Sequence, residues 1–138
     1  MKATVKVEGL AQLERNLKNF HSGVLKELEP AARSAGEMVA EVAKQKVHRD
    51  KTGKMRRGID VRGIDIKKTS VAVHVGPHQK QFYARWVEYG HKLKRSSKGQ
   101  VIGNVPAYPF LRPAYDETKT RAQDLIRNAL ARLIERWR

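Results

Sequence analysis

A chain of 138 residues fits one domain with a single, modest core. The absence of cysteine excludes disulfides and thiolate metal sites, and no apolar run approaches the roughly 18 residues needed to cross a bilayer. A net charge of +15 on so short a chain attracts polyanions and repels further copies of itself.

These limits, with no basic-then-apolar leader at the N-terminus, predict a soluble protein made in a cytoplasm, with one domain over residues 1–138. The charge is unevenly placed. Up to residue 43, Lys2, Lys6, Arg15, Lys18, Lys26 and Arg33 are balanced by six glutamates. From Lys44 to Lys68 ten Lys or Arg face only Asp50, Asp60 and Asp65, and His91 to Gln100 adds Lys92, Lys94, Arg95 and Lys98 without an acid.

In chain order, Ala3 to Val7 alternates small or apolar with polar residues and predicts a short strand, ended by Glu8-Gly9. Leu10, Leu13, Leu17 and Phe20 recur at helical spacing. After His21-Ser22-Gly23 a second, longer helix is expected, with Ser22 as its cap and Val24, Leu28, Ala31, Ala35, Met38, Val39 and Val42 on one side. Pro30 is expected to kink that helix without ending it. Ala31, Ala32, Ala35 and Gly36 are small enough for another element to approach closely.

Thr52-Gly53 marks a turn, after which the apolar period changes from 3.6 to 2. Met55 to Ile66 predicts a strand interrupted or bulged at Gly58 and Gly63, and Val71-Ala72-Val73-His74-Val75 predicts its antiparallel partner. Phe82, Trp86 and Tyr89 lie at i, i+4 and i+7, which predicts a two-turn helix ending at Gly90 with its aromatic stripe in the core. His91 to Asn104 has the composition of a mobile basic loop. Pro106, Pro109 and Pro113 make the next segment extended, anchored by Tyr108, Phe110 and Leu111. From Pro113 a long helix follows, with Ala122, Leu125, Ile126, Ala129, Leu130, Leu133, Ile134 and Trp137 on one stripe, and with Asp116 and Glu117 complementing its dipole. The fold class is α+β, a small antiparallel sheet with a long central and a long C-terminal helix packed on one face.

Site chemistry is sparse. The five histidines have no metal-ligand spacing, since Pro77 separates His74 from His78, and phosphate-binding glycine motifs are absent. Ser70, Ser96 and Ser97 lack an evident base, and carboxylates are few after Asp65. The expectation is a non-enzyme with no cofactor and no metal.

The motifs taken in order resemble the tail-completion, or head-tail joining, proteins of long-tailed phages, a group that includes relatives of the lambda minor tail protein Z. The resemblance runs through Val7-Glu8-Gly9-Leu10, Thr52-Gly53-Lys54-Met55-Arg56-Arg57-Gly58-Ile59 and Val73-His74-Val75-Gly76. It continues in Tyr83-Ala84-Arg85-Trp86-Val87-Glu88-Tyr89-Gly90 and Pro109-Phe110-Leu111-Arg112-Pro113-Ala114. Family members commonly follow the glycine with threonine, where this chain has His91. The resemblance implies a structural virion protein, usually a sixfold ring between the head connector or closure protein and the tail terminator or tube. It implies a place in the virion neck after assembly in the host cytoplasm, and no enzymatic role.

Two residue sets carry the expected roles. Tyr83, Trp86, Glu88, Gly90, Pro109, Phe110, Leu111 and Pro113 form the core motif. Lys51, Lys54, Arg56, Arg57, Lys92, Lys94, Arg95 and Lys98 are the candidate contacts. Their charges have three destinations: genomic DNA bound non-specifically in the ring, acidic faces of neighbouring proteins, or solvent. A different class of function, a small basic nucleic-acid-binding protein or toxin-like ribonuclease, shares the composition but lacks a binding signature and a His, Arg and Glu cluster.

Overall fold

The computed structural model describes residues 10–48, 50–67, 70–95 and 99–136. The strand expected over Ala3 to Val7 lies outside the described residues. Helix α1 (Leu10–Lys46) is one helix of 37 residues where the sequence predicts two. Gly23 lowers helix propensity by only about 1 kcal/mol relative to Ala, and Val24 and Leu28 resume packing at once. Ser22 is therefore no cap: its hydroxyl donates to the Asn19 carbonyl at 3.0 Å, the back-bonding of a mid-helix serine. Pro30 sits inside the helix on an exposed position, so the helix continues through it as expected.

Helix α4 (Leu111–Arg136) runs antiparallel along α1. Two ion pairs set the register, Lys46 with Glu117 at 2.6 Å and Glu27 with Arg136 at 2.9 Å. The pairs are equally far apart on both helices, which keeps the axes close to aligned over that length. Between them the helices bury two clusters. One joins Leu28 to Ala129 and Leu133, and the larger gathers Ala40, Ala43 and Val47 with Met55, Ile59, Ala84, Phe110 and Ala114.

Strands β1 (Asp60–Lys67) and β2 (Ser70–Gly76) form the expected antiparallel hairpin. Its register shifts between Val61 and Gly63, so a bulge stands where the alternation slips. Arg62 is the extra residue, and its guanidinium donates to the carbonyls of Gly58 and Gly76. The hairpin crosses α1 at Gly36, where a Cβ would come within 2.6 Å of a Val73 methyl and 2.9 Å of one on Val61. Close approach at the small residues is what the sequence predicts.

Two further elements differ from expectation. Met55 to Gly58 is not strand but the short helix α2 (Lys54–Gly58), which the left-handed turn at Gly53 starts and the Asp50 carboxylate caps by accepting the Arg56 amide at 2.7 Å. The segment expected as a mobile loop holds a second antiparallel hairpin, β3 (His91–Lys94) with β4 (Val101–Val105). Leu93, Val101 and Ile102 are all exposed, so neither strand has a buried face to print a period on the sequence.

Candidate functional site

Helix α3 (Ala84–Tyr89) is only six residues long, and it turns Ala84 and Glu88 inward. Glu88 is buried, and its carboxylate accepts the amides of Phe110 at 2.7 Å, Leu111 at 3.0 Å and Arg112 at 3.0 Å. These are the donors that the first turn of α4 leaves without intrahelical acceptors. Pro113 has no amide hydrogen, and Ala114 closes the first helical bond to the Phe110 carbonyl at 3.3 Å. One side chain from α3 therefore caps the whole start of α4, with a negative charge at its positive dipole end. Asp116 and Glu117, expected in that role, fall beyond the first turn.

Gly90 completes the joint. Its φ of 70° is left-handed, and a Cβ there would lie 2.6 Å from the Val105 carbonyl oxygen and 2.9 Å from the Ala107 amide nitrogen. The chain returning from β4 thus presses backbone to backbone on the end of α3, and the Tyr108 amide donates to the Val87 carbonyl at 2.8 Å. Phe110 plugs the core beside Leu111, Pro113 is half-buried, Tyr83 packs at the core margin, and Pro109 is exposed.

The aromatic stripe faces outward, which corrects the core reading. Phe82 is 68% exposed, Trp86 49% and Tyr89 74%. Phe82 and Trp86 meet edge to face with centroids 5.5 Å apart, and Trp86 lies 5.6 Å from the His91 ring at the foot of the second hairpin. Periodicity finds a face of a helix but not which side of a two-turn helix is inside. Here the inner side carries alanine and a carboxylate, a pair that reads as surface.

The candidate contacts divide by role. Arg56 donates from its guanidinium to the Val47 carbonyl at 2.8 Å, just past the end of α1, and Arg57 donates to the Thr52 carbonyl at 3.2 Å. Both arginines hold the α1–α2 joint. Lys51 and Lys54 are exposed on that joint, and Lys92, Lys94 and Arg95 are exposed on the β3–β4 hairpin. Lys98 lies outside the described residues. The two basic groups thus belong to separate elements. Arg85, which sequence reasoning passes over, is exposed between Phe82 and Tyr89, so the ridge is basic as well as aromatic.

Among the described residues no group of three or more metal-ligating side chains comes together, and no helix is long and apolar enough to cross a membrane. The exposed aromatic ridge and the two basic groups offer surfaces for contact. Residues 11–90 match the sequence model of the HK97-gp10-like family, described as a bacteriophage HK97-gp10 tail component. No curated protein and no solved structure matches the chain.

Proposed function

The chain belongs to the HK97-gp10-like family of bacteriophage tail components, and we propose that it is the tail-completion protein of the head-tail junction. In this reading it forms a homo-oligomeric, sixfold ring in the neck of a long-tailed phage, and the genome passes through it. The head connector or closure protein lies on one side and the tail terminator or tube on the other. The observation that carries the proposal is the exposed ridge of Phe82, Trp86 and Tyr89 beside the basic β3–β4 hairpin. A small protein that leaves three large aromatics of one short segment in solvent is shaped for contact with other proteins. A closed ring needs two complementary patches on each copy, and such a ridge supplies one.

Gold labelling of the chain in virions tests this. Label at the head-tail junction supports it, and label confined to the distal tail overturns it. A second reading gains from Arg85 standing among exposed rings, because bases stack on such surfaces. It predicts sequence-selective, submicromolar DNA binding by the isolated protein at physiological salt. The neck reading predicts only weak, salt-sensitive binding.

A further inference from the structure

Between β2 and α4 lies an apolar groove of about 760 Å3, floored by Ala35, Gly36 and Val39 of α1. Its lining takes in Val71, Ala72 and Val73 in succession and no residue of β1. Neighbouring strand residues face opposite ways, so β2 meets the groove with its edge. That edge is open. β2 pairs only with β1, and among the described residues its backbone makes no other backbone–backbone bond; the Gly76 carbonyl at its end accepts from Arg62. Ala122 and Ile126 of α4 form the facing wall.

The rim is cationic. Arg85, Arg112 and Lys119 are exposed around it; the two arginines enter no ion pair among the described residues, and Lys119 meets Asp116 only at 4.0 Å. The one carboxylate in the lining, Glu88, already accepts three amides.

We infer that this groove receives an extended acidic segment of another protein. The segment pairs as a third strand on β2, lays its apolar side chains on α1, and sets its carboxylates against Arg85, Arg112 and Lys119. An open strand edge supplies the main-chain bonds and the rim selects for charge. The chain's own residues 1–9 do not reach. They leave α1 at Leu10, about 39 Å from Gly36 along the helix, whereas nine extended residues span about 31 Å at most. A second copy is disfavoured as the occupant of this groove by its cationic rim, which favours an acidic segment. The inference stands on the groove and holds whether or not the protein forms a ring.

The test is fluorescence anisotropy on the full chain with a labelled nine-residue peptide alternating valine and glutamate. Two controls carry lysine in place of glutamate, or proline in place of alternate valines. The glutamate peptide should bind, both controls should bind at least tenfold more weakly, and bound peptide should slow hydrogen exchange at the amides of residues 71–75. Arg85→Glu with Arg112→Glu should weaken binding tenfold at an unchanged melting temperature; if that variant fails to fold, the three peptides on the native protein still decide. No binding, equal binding of the lysine peptide, or unprotected β2 amides overturns the inference. So does displacement of the peptide by a short DNA duplex, or binding that appears only once residues 1–9 are removed.

Discussion

The Glu88 carboxylate accepts the Phe110 amide at 2.7 Å, and that bond joins two motifs 22 residues apart in sequence. The glutamate-x-glycine ending of α3 and the proline-phenylalanine-leucine-arginine-proline run are two halves of one joint. Gly90 allows the returning backbone to approach, Glu88 caps the helix that this backbone begins, and Pro113 removes the one donor the carboxylate does not serve. Replacing Glu88 by alanine leaves three amides without an acceptor, each costing about 1–3 kcal/mol when buried. Glu88→Ala should therefore lower stability by about 3 kcal/mol or more, and the melting temperature by roughly 10 °C. Glu88→Gln keeps an acceptor oxygen and should lose clearly less. Thermal unfolding of the two variants checks the order, and equal melting of Glu88→Ala and the native chain would remove the clamp.

Gly90→Ala meets two obstacles at once, a left-handed φ and a Val105 oxygen 2.6 Å from the new methyl carbon. A positive φ alone costs an L-residue about 1 kcal/mol. The obstruction here is backbone, which cannot swing aside as the end of a side chain can. The expected loss is at least 2 kcal/mol, on the scale of strained backbone sites. Chemical denaturation measures it, and a loss below half that would show that the 105–107 segment yields.

Phe110 and Trp86 separate core from ridge. Phe110 is fully buried among Met55, Ile59 and Ala114, so Phe110→Ala should cost about 3–5 kcal/mol. Trp86 is half exposed, and Trp86→Ala should cost about 1 kcal/mol while reducing assembly. Folding stability and incorporation into virions should move separately for these two variants. If Trp86→Ala destabilises as much as Phe110→Ala, the ridge is structural.

These sites show what the sequence discloses and what it withholds. The long amphipathic pattern of α4, the valine alternation of β2, the bulge at Gly63 and the stop at Gly90 are legible because each rests on a local period or backbone demand. The close crossing at Gly36 is legible from the run of small residues. The Glu88 clamp is not, since a lone glutamate on a six-residue helix reads as solvated until a distant helix start is laid on it. The β3–β4 hairpin is hidden for the opposite reason: both strands are exposed, so burial imposes no alternation.

The basic residues of the α1–α2 joint should divide into structural and contacting groups. Arg56 places its guanidinium on the Val47 carbonyl, one of the acceptors that the C-terminal end of α1 leaves open, and its positive charge suits that end of the dipole. Arg56→Ala removes a charge-assisted bond, so stability should fall by about 1–2 kcal/mol. Lys51 and Lys54 are exposed and enter no ion pair among the described residues, so Lys51→Ala with Lys54→Ala should leave the melting temperature within about 2 °C. The double variant should instead lower affinity for polyanions and flatten the salt dependence, because each lost phosphate contact removes about 0.9 from the slope on duplex DNA. Heparin or DNA titrations at several salt concentrations, beside thermal melts, measure both quantities. Loss of stability in the lysine variant with an unchanged salt slope would show that these lysines, too, belong to the joint.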